Sequence, residues 1–261
     1  MFNFLTIATK LRIILITNHL IALSAIFFAS PEWYHWLILF LSQVIIGKIG
    51  GEVGFHRYFS HKSFKTAKWK ERCLLVLGSL NMVGSALSWV GTHRTHHVNA
   101  DQPSDPHSPY HQHWLKVWAL LWKPFIIKPR YVADMIRDPW HMFIHKWYFE
   151  LCLVILLVVG LLDYHVLVFL ISLPAVLTFH VGSFLIDIVC HYYGYRNFET
   201  NDHSRNNTWV NMFTWGSGLH NNHHAKPGEW NYVQKKGEWD IWGIFIKYCL
   251  LENEIKHNRV P

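Results

Sequence analysis

The chain is poor in charge. Only 16% of its 261 residues are Asp, Glu, Lys or Arg, while 51% are hydrophobic, with 14 Trp and 17 Phe. That balance excludes an ordinary soluble domain and fits a membrane protein with a polar portion attached. Its four cysteines, Cys73, Cys152, Cys190 and Cys249, are scattered and form no C-x-x-C pair. The pattern predicts neither disulfides nor a sulfur-ligated metal. The formal net charge is +7, yet no Lys/Arg stripe marks a nucleic-acid surface. Basic residues flanking membrane spans are the simpler explanation.

Four apolar runs approach the roughly 20 residues that a helix needs to cross a bilayer. They cover about 11–30, 36–51, 147–162 and 166–190. The first has a basic start, Lys10 and Arg12, like a signal peptide. Asn18 and His19 interrupt it, however, and a second span follows at once, so an uncleaved span is expected. The short links "PEWYH" and "DYH" hold no Lys or Arg. Nearly all basic residues lie at the N-terminus, between Lys48 and Lys146, or after Arg196. The positive-inside rule assigns those regions to the cytoplasm, giving two helical hairpins with both termini inside.

The chain has 20 histidines, and eight of them sit in three tight groups. "HRYFSH" carries His56 and His61. "HRTHH" carries His93, His96 and His97. "HNNHH" carries His220, His223 and His224. The spacing i, i+3, i+4 in the last two places three imidazoles on one helical face, where neutral nitrogens bind metal well. The i, i+5 spacing of the first shares no face on a regular α-helix, so those rings are expected to meet a centre from different angles where a span ends. Eight histidines are too many for one structural zinc, and the cysteines are elsewhere. Two metals sharing eight or nine nitrogen ligands fit better. Imidazole alone does not choose among Zn, Cu, Fe and Ni. A metal pair beside an apolar interior suits oxidation of a lipid chain, for which iron with O2 is the usual means.

A fifth apolar run, 73–90, separates the first two groups. If it crossed the membrane, they would lie on opposite sides. It is therefore expected to lie as a cytoplasmic or interfacial helix. The whole chain, 1–261, then reads as one membrane domain.

The order H-x4-H, H-x-x-H-H, H-x-x-H-H on two hairpins resembles the integral-membrane acyl-CoA (delta-9, stearoyl-type) fatty acid desaturases. "GFHRYFSHKSFKT", "THRTHHVNADQPSDPHSP", "HYYGYRNFETNDHSRNN" and "HNNHHAKP" all look like signatures of that family. The likeness runs from about 47 to 251. It implies an all-α fold of four transmembrane helices under a cytoplasmic helical cap, two iron ions, and O2 as co-substrate. It further implies a ninth ligand at His191 and an acyl chain threaded past the irons. Trp89 matches a tunnel-lining tryptophan, although ordinary aromatic packing explains it equally well. Where the family usually has Asn, this chain has Asp187, a carboxylate able to bind iron or orient a bound water. It has Ser217 where a Glu is common, and Gly91–Thr92 where the CoA enzymes carry Arg–Asp. Acyl-CoA, acyl-lipid and carrier-protein substrates therefore all remain open.

The reading that follows is an O2-dependent fatty acyl desaturase in the bacterial inner membrane or endoplasmic reticulum. A separate ferredoxin or b-type cytochrome with its reductase would supply electrons. The same chemistry admits a lipid hydroxylase. A metal transporter or storage protein fits less well, because no ladder of polar residues crosses the spans. His107 is expected to play a supporting role and His141 and His145 to sit at the membrane interface. His111, His113 and His203 are expected in solvated loops. The basic run Lys62, Lys65, Lys68, Lys70, Arg72 reads as a solvated, lipid-facing surface that could receive an acidic electron donor.

Overall fold

A computed structural model describes residues 4–121 and 125–252. Among them there is no β-sheet, only isolated bridges at Tyr195–Asn206 and Asn206–Leu219. Four helices are long and apolar enough to cross a membrane. Helix α1 spans Phe4–Phe28, with its apolar stretch at Thr9–Phe28. Helix α2 spans Trp33–Ser60. After the short helices α3 (Lys68–Ser79) and α4 (Ala86–Asn99) come the other two long ones, α5 (Pro139–Leu162) and α6 (Tyr164–Tyr192). The chain then forms α7 (Thr208–Thr214), α8 (His220–Ala225) and α9 (Ile241–Leu250).

The long helices turn much of their apolar surface outward, as lipid-facing segments do. Phe27 is 79% exposed on α1 and Leu162 80% on α5. Inward, α5 buries one stripe at helical spacing: His141, Ile144, Tyr148, Cys152 and Leu156. His141, near the start of the span, is thus buried within the protein, its ring edge-on to Phe59 at 5.0 Å. His145 bonds the Ser85 hydroxyl at 2.7 Å. The polar break in α1 is also used. His180 accepts from the Trp118 indole (2.8 Å) and faces His19 Nε2 at 3.2 Å, while His19 Nδ1 meets the Leu15 carbonyl at 2.7 Å. With both rings neutral, the donors run in one direction along this chain and every ring nitrogen is satisfied.

Helix α2 runs nine residues beyond its expected end, and from Gln43 to Ser60 it is wound as a π-helix. The same winding recurs in α6 over Val181–Val189. At Gly50 the backbone of α3 crosses so closely that a Cβ would lie 2.4 Å from the Leu77 carbonyl carbon. Reciprocally, a Cβ on Gly78 would lie 2.3 Å from the Phe55 ring. These two glycines let α2 and α3 touch backbone to backbone, which fixes where α2 delivers its last turns.

The run 73–90 is not one helix. It breaks between Ser79 and Ala86, where Met82 (φ 56°) and Gly84 (φ 117°) adopt left-handed backbone. The Ser85 side chain then caps α4 by accepting from the Ser88 amide. The chain therefore doubles back, and the two flanking histidines meet: His61 Nε2 and His93 Nε2 are 2.8 Å apart. The basic run after the first histidine pair is largely engaged within the fold. Lys62 pairs with Asp134 (2.9 Å), Lys68 with Glu71 (2.7 Å) and Arg72 with Asp138 (2.6 Å).

Candidate metal centre

Two clusters of ligand atoms form where the ends of α2 and α6 meet α4 and α8. In the first, His56, His61, His93, His97 and His223 bring one ring nitrogen each within 4.8 Å of one another. In the second, His96, His191, His220 and His224 do the same. All nine sequence-nominated histidines are thus gathered, but not as three separate faces. Helix α4 sends His93 and His97 to the first cluster and His96 to the second. Helix α8 does the reverse, sending His220 and His224 to the second and His223 to the first. The i, i+5 pair comes together at the end of α2 because π-winding bonds each residue to the one five before it; the His61 amide donates to the His56 carbonyl at 3.3 Å. The His56 and His61 rings lie 5.1 Å apart at 79°.

The rings are aimed from behind. His56 Nδ1 meets Glu52 at 3.2 Å, His96 meets Asp105 at 2.9 Å, and His191 meets Asp101 at 2.8 Å. His224 meets Asp202 at 2.8 Å. A carboxylate only accepts, so each of these Nδ1 atoms carries the proton, and in the neutral ring Nε2 then turns a lone pair inward. His224 Nε2 is buried without a hydrogen-bond partner. Elsewhere Nε2 atoms face each other directly, as in His56–His223 (3.0 Å) and His191–His220 (3.1 Å). In the tautomers that ligate, these are buried lone pairs pointed at one another, an arrangement suited to a cation between them. Burial first, then neighbouring imidazoles, push the pKa of His61, His93, His97, His220 and His223 well below the usual 6.5. They are therefore neutral at pH 7 and ready to ligate. His96 differs: burial disfavours its charge, but Asp105 and Asp187 outweigh this and raise its pKa to about 9.

The two asparagines of "HNNHH" hold α8 in place. Asn221 Oδ1 accepts from the Asn197 and Phe198 amides at 2.8 and 2.9 Å. Asn222 donates to the Tyr232 carbonyl (2.8 Å) and Glu238 (2.9 Å), and accepts from Asn197 and Asn206. Arg57, fully buried beside His56, is held by Asp240 at 2.7 Å, by Glu52 at 2.9 Å, and by the face of Tyr232. Sequence reasoning missed these supports. Only Glu52 left a local signal, four residues before His56 on one helix; Asp101 lies 90 positions from His191.

A cavity of about 310 Å³ opens beside both clusters. His56 and His93 line it from the first, His96 and His220 from the second. Its apolar wall includes Leu11, Phe55, Trp89, Phe179 and Ile186. Trp89 stacks on His93 at 5.0 Å and 18°. Asp187 and Ser217 also face this space. Asp187 lies 3.6 Å from His107 Nδ1 and outside the group of four ligand atoms. His107 in turn stacks on His96 at 4.3 Å. Gly91 is set by packing: a Cβ there would lie 2.6 Å from Ile127. A largely apolar cavity ending on two histidine clusters able to hold metal, in a chain with four helices able to cross a membrane, is a site suited to a long apolar ligand.

Comparison with known proteins names the group. The fatty acid desaturase family model matches residues 31–244. The chain is 33% identical over 253 residues to the sn-1 stearoyl-lipid 9-desaturase of Synechocystis sp., covering 93% of this chain and 77% of that protein. It is 32% identical over 238 residues to the protein of the same name from Anabaena variabilis, covering 88% and 85%. It is also 32% identical over 240 residues to an acyl-CoA C20 Delta5-desaturase of Anemone leveillei, covering 86% and 75%. The chain belongs to the fatty acid desaturase family and is an oxidoreductase of that kind.

Proposed function

We propose that the protein is an acyl-lipid desaturase that introduces a double bond into a saturated chain lying in the cavity. The overall change is loss of two hydrogens from adjacent methylenes, with O2, two electrons and two protons yielding two waters. The observation that carries this reading is the pair of carboxylate-braced histidine clusters opening on an apolar cavity. Two iron ions, held by His56, His61, His93, His97 and His223 and by His96, His191, His220 and His224, would supply the oxidant. The chain's own residues do the rest. Phe55, Trp89 and Phe179 hold the methylenes and keep water from them. Glu52, Asp101, Asp105 and Asp202 keep the ligand rings in one tautomer. Asp187, with His107, would orient a water beside the second cluster. The names of the relatives, two lipid desaturases and one acyl-CoA desaturase, favour a lipid-linked acyl substrate.

The basic residues flanking α1, α2, α5 and α6 favour a cytoplasmic metal site, with α3 and α4 lying under it without crossing. The whole chain works as one domain, and electrons come from a separate ferredoxin or b-type cytochrome with its reductase. The test is expression with such a donor, followed by profiling of membrane lipids. A new double bond is the expected result. A new hydroxyl would overturn desaturation in favour of hydroxylation, and an unchanged lipid profile from iron-loaded protein would sink both.

A further inference from the structure

The cavity wall formed by α2 is not uniformly apolar. Gln43, Lys48 and Glu52 face the space along with Phe55. Lys48 is only 7% exposed, and among the described residues its ammonium makes no hydrogen bond and no ion pair. Glu52, one turn on, is already committed to His56 and to Arg57. Gln43 donates to Thr178 at 3.2 Å, and its own carbonyl oxygen is buried without a partner. A saturated tail sliding past this wall would offer the ammonium nothing. An ammonium carries three donors, and burying it with no hydrogen-bond partner, its nearest carboxylate being the already engaged Glu52, is costly, most of all within a bilayer.

We propose that Lys48 reads the substrate: its ammonium binds an oxygen of the acyl ligand and thereby fixes which methylenes stop beside the histidine clusters. Lys48 precedes His56 by eight residues, at most roughly 12 Å of helix. The bound oxygen and the oxidised carbons are therefore separate points on one chain. The oxygen is either the ester carbonyl at the head or a substituent farther along the chain, since both present the same acceptor. This inference rests on the desaturase reading and adds to it the basis of positional choice.

The test uses iron-loaded protein in lipid nanodiscs with an electron donor, comparing wild type with Lys48→Met and Lys48→Arg. The substrates are an octadecanoyl lipid and the same lipid with a hydroxyl on the distal half of the chain. Lys48→Met should raise KM at least tenfold with kcat within threefold, and should scatter the double bond over neighbouring positions. Lys48→Arg should keep part of the selectivity. A carbonyl contact predicts the loss on both lipids; a chain-oxygen contact confines it to the hydroxylated one. Unchanged KM and double-bond position on both lipids, in Lys48→Met protein of full iron content, would overturn the proposal. If that variant does not accumulate, wild-type binding decides. Methyl octadecanoate or its hydroxylated form should outcompete nonadecane at least tenfold, and parity of all three overturns the idea. Wild type that makes no double bond from either lipid would instead overturn the desaturase reading, and the binding comparison would still judge Lys48.

Discussion

The two clusters use the same ligand and are built differently. In the second, three of four rings are braced by carboxylates: Asp105 on His96, Asp101 on His191 and Asp202 on His224. In the first, only His56 among five is so braced, by Glu52; the others lean on one another, as in His93 against His97 at 4.6 Å. A carboxylate behind an imidazole raises its basicity and holds its orientation. The second cluster is thus the more electron-rich and the more rigid. The first has an extra ring and fewer supports.

The largest effect should come from breaking the first cluster outright. His223→Ala removes a ring that faces both His56 and His97. Activity should fall by well over roughly 100-fold, more than the loss of an outer support causes, and metal analysis should find about half the wild-type iron. Full iron content would refute the ligand assignment. Next come the supports. Asp101→Asn should weaken metal in the second cluster roughly 10- to 100-fold, read by competition with a chelator. Glu52→Gln should do less overall and act mainly on the first cluster; equal effects on both clusters would erase the contrast drawn above. A smaller effect should follow Gly50→Ala. Its methyl group meets the α3 backbone, so a loss of about 1–3 kcal/mol is expected, seen as a lowered Tm. Since α2 carries His56, iron should be lost from the first cluster before the second. The smallest change is Asp187→Asn. Asp187 lies against His107 and the cavity, outside the group of four ligand atoms, so activity should change by less than about tenfold with iron content unaltered.

Much of this centre was legible in the sequence. Repeated i, i+3, i+4 histidines at the ends of apolar runs are a strong pattern, because a helix and a bilayer each impose a fixed period and length. What the sequence hid was the division of each triplet. Whether His96 turns with His93 or away from it depends on where α4 lies between two clusters, and the spacing carries no such information. The i, i+5 pair looked irregular because α-helical winding was assumed; π-winding of α2 makes it a face. The carboxylates were invisible for a different reason. Asp101 reaches His191 across 90 residues, joined only by the fold. The second motif's tail, "NADQPSDPH", held both Asp101 and Asp105 in plain view, but without a role. The basic run after His61 reads as solvated surface, and its ion pairs with Asp134, Glu71 and Asp138 were likewise invisible, because those partners are set by the fold.

The crosswise distribution of α4 and α8 has a consequence for loading. Each helix contributes to both clusters, so an ion held by one cluster would also fix residues that the other needs. On the two-ion reading the clusters are thermodynamically linked: whatever factor an ion in the first adds to affinity at the second, the second returns to the first. A defect placed in one half would therefore reach the other in weakened form, through the shared α4 and α8.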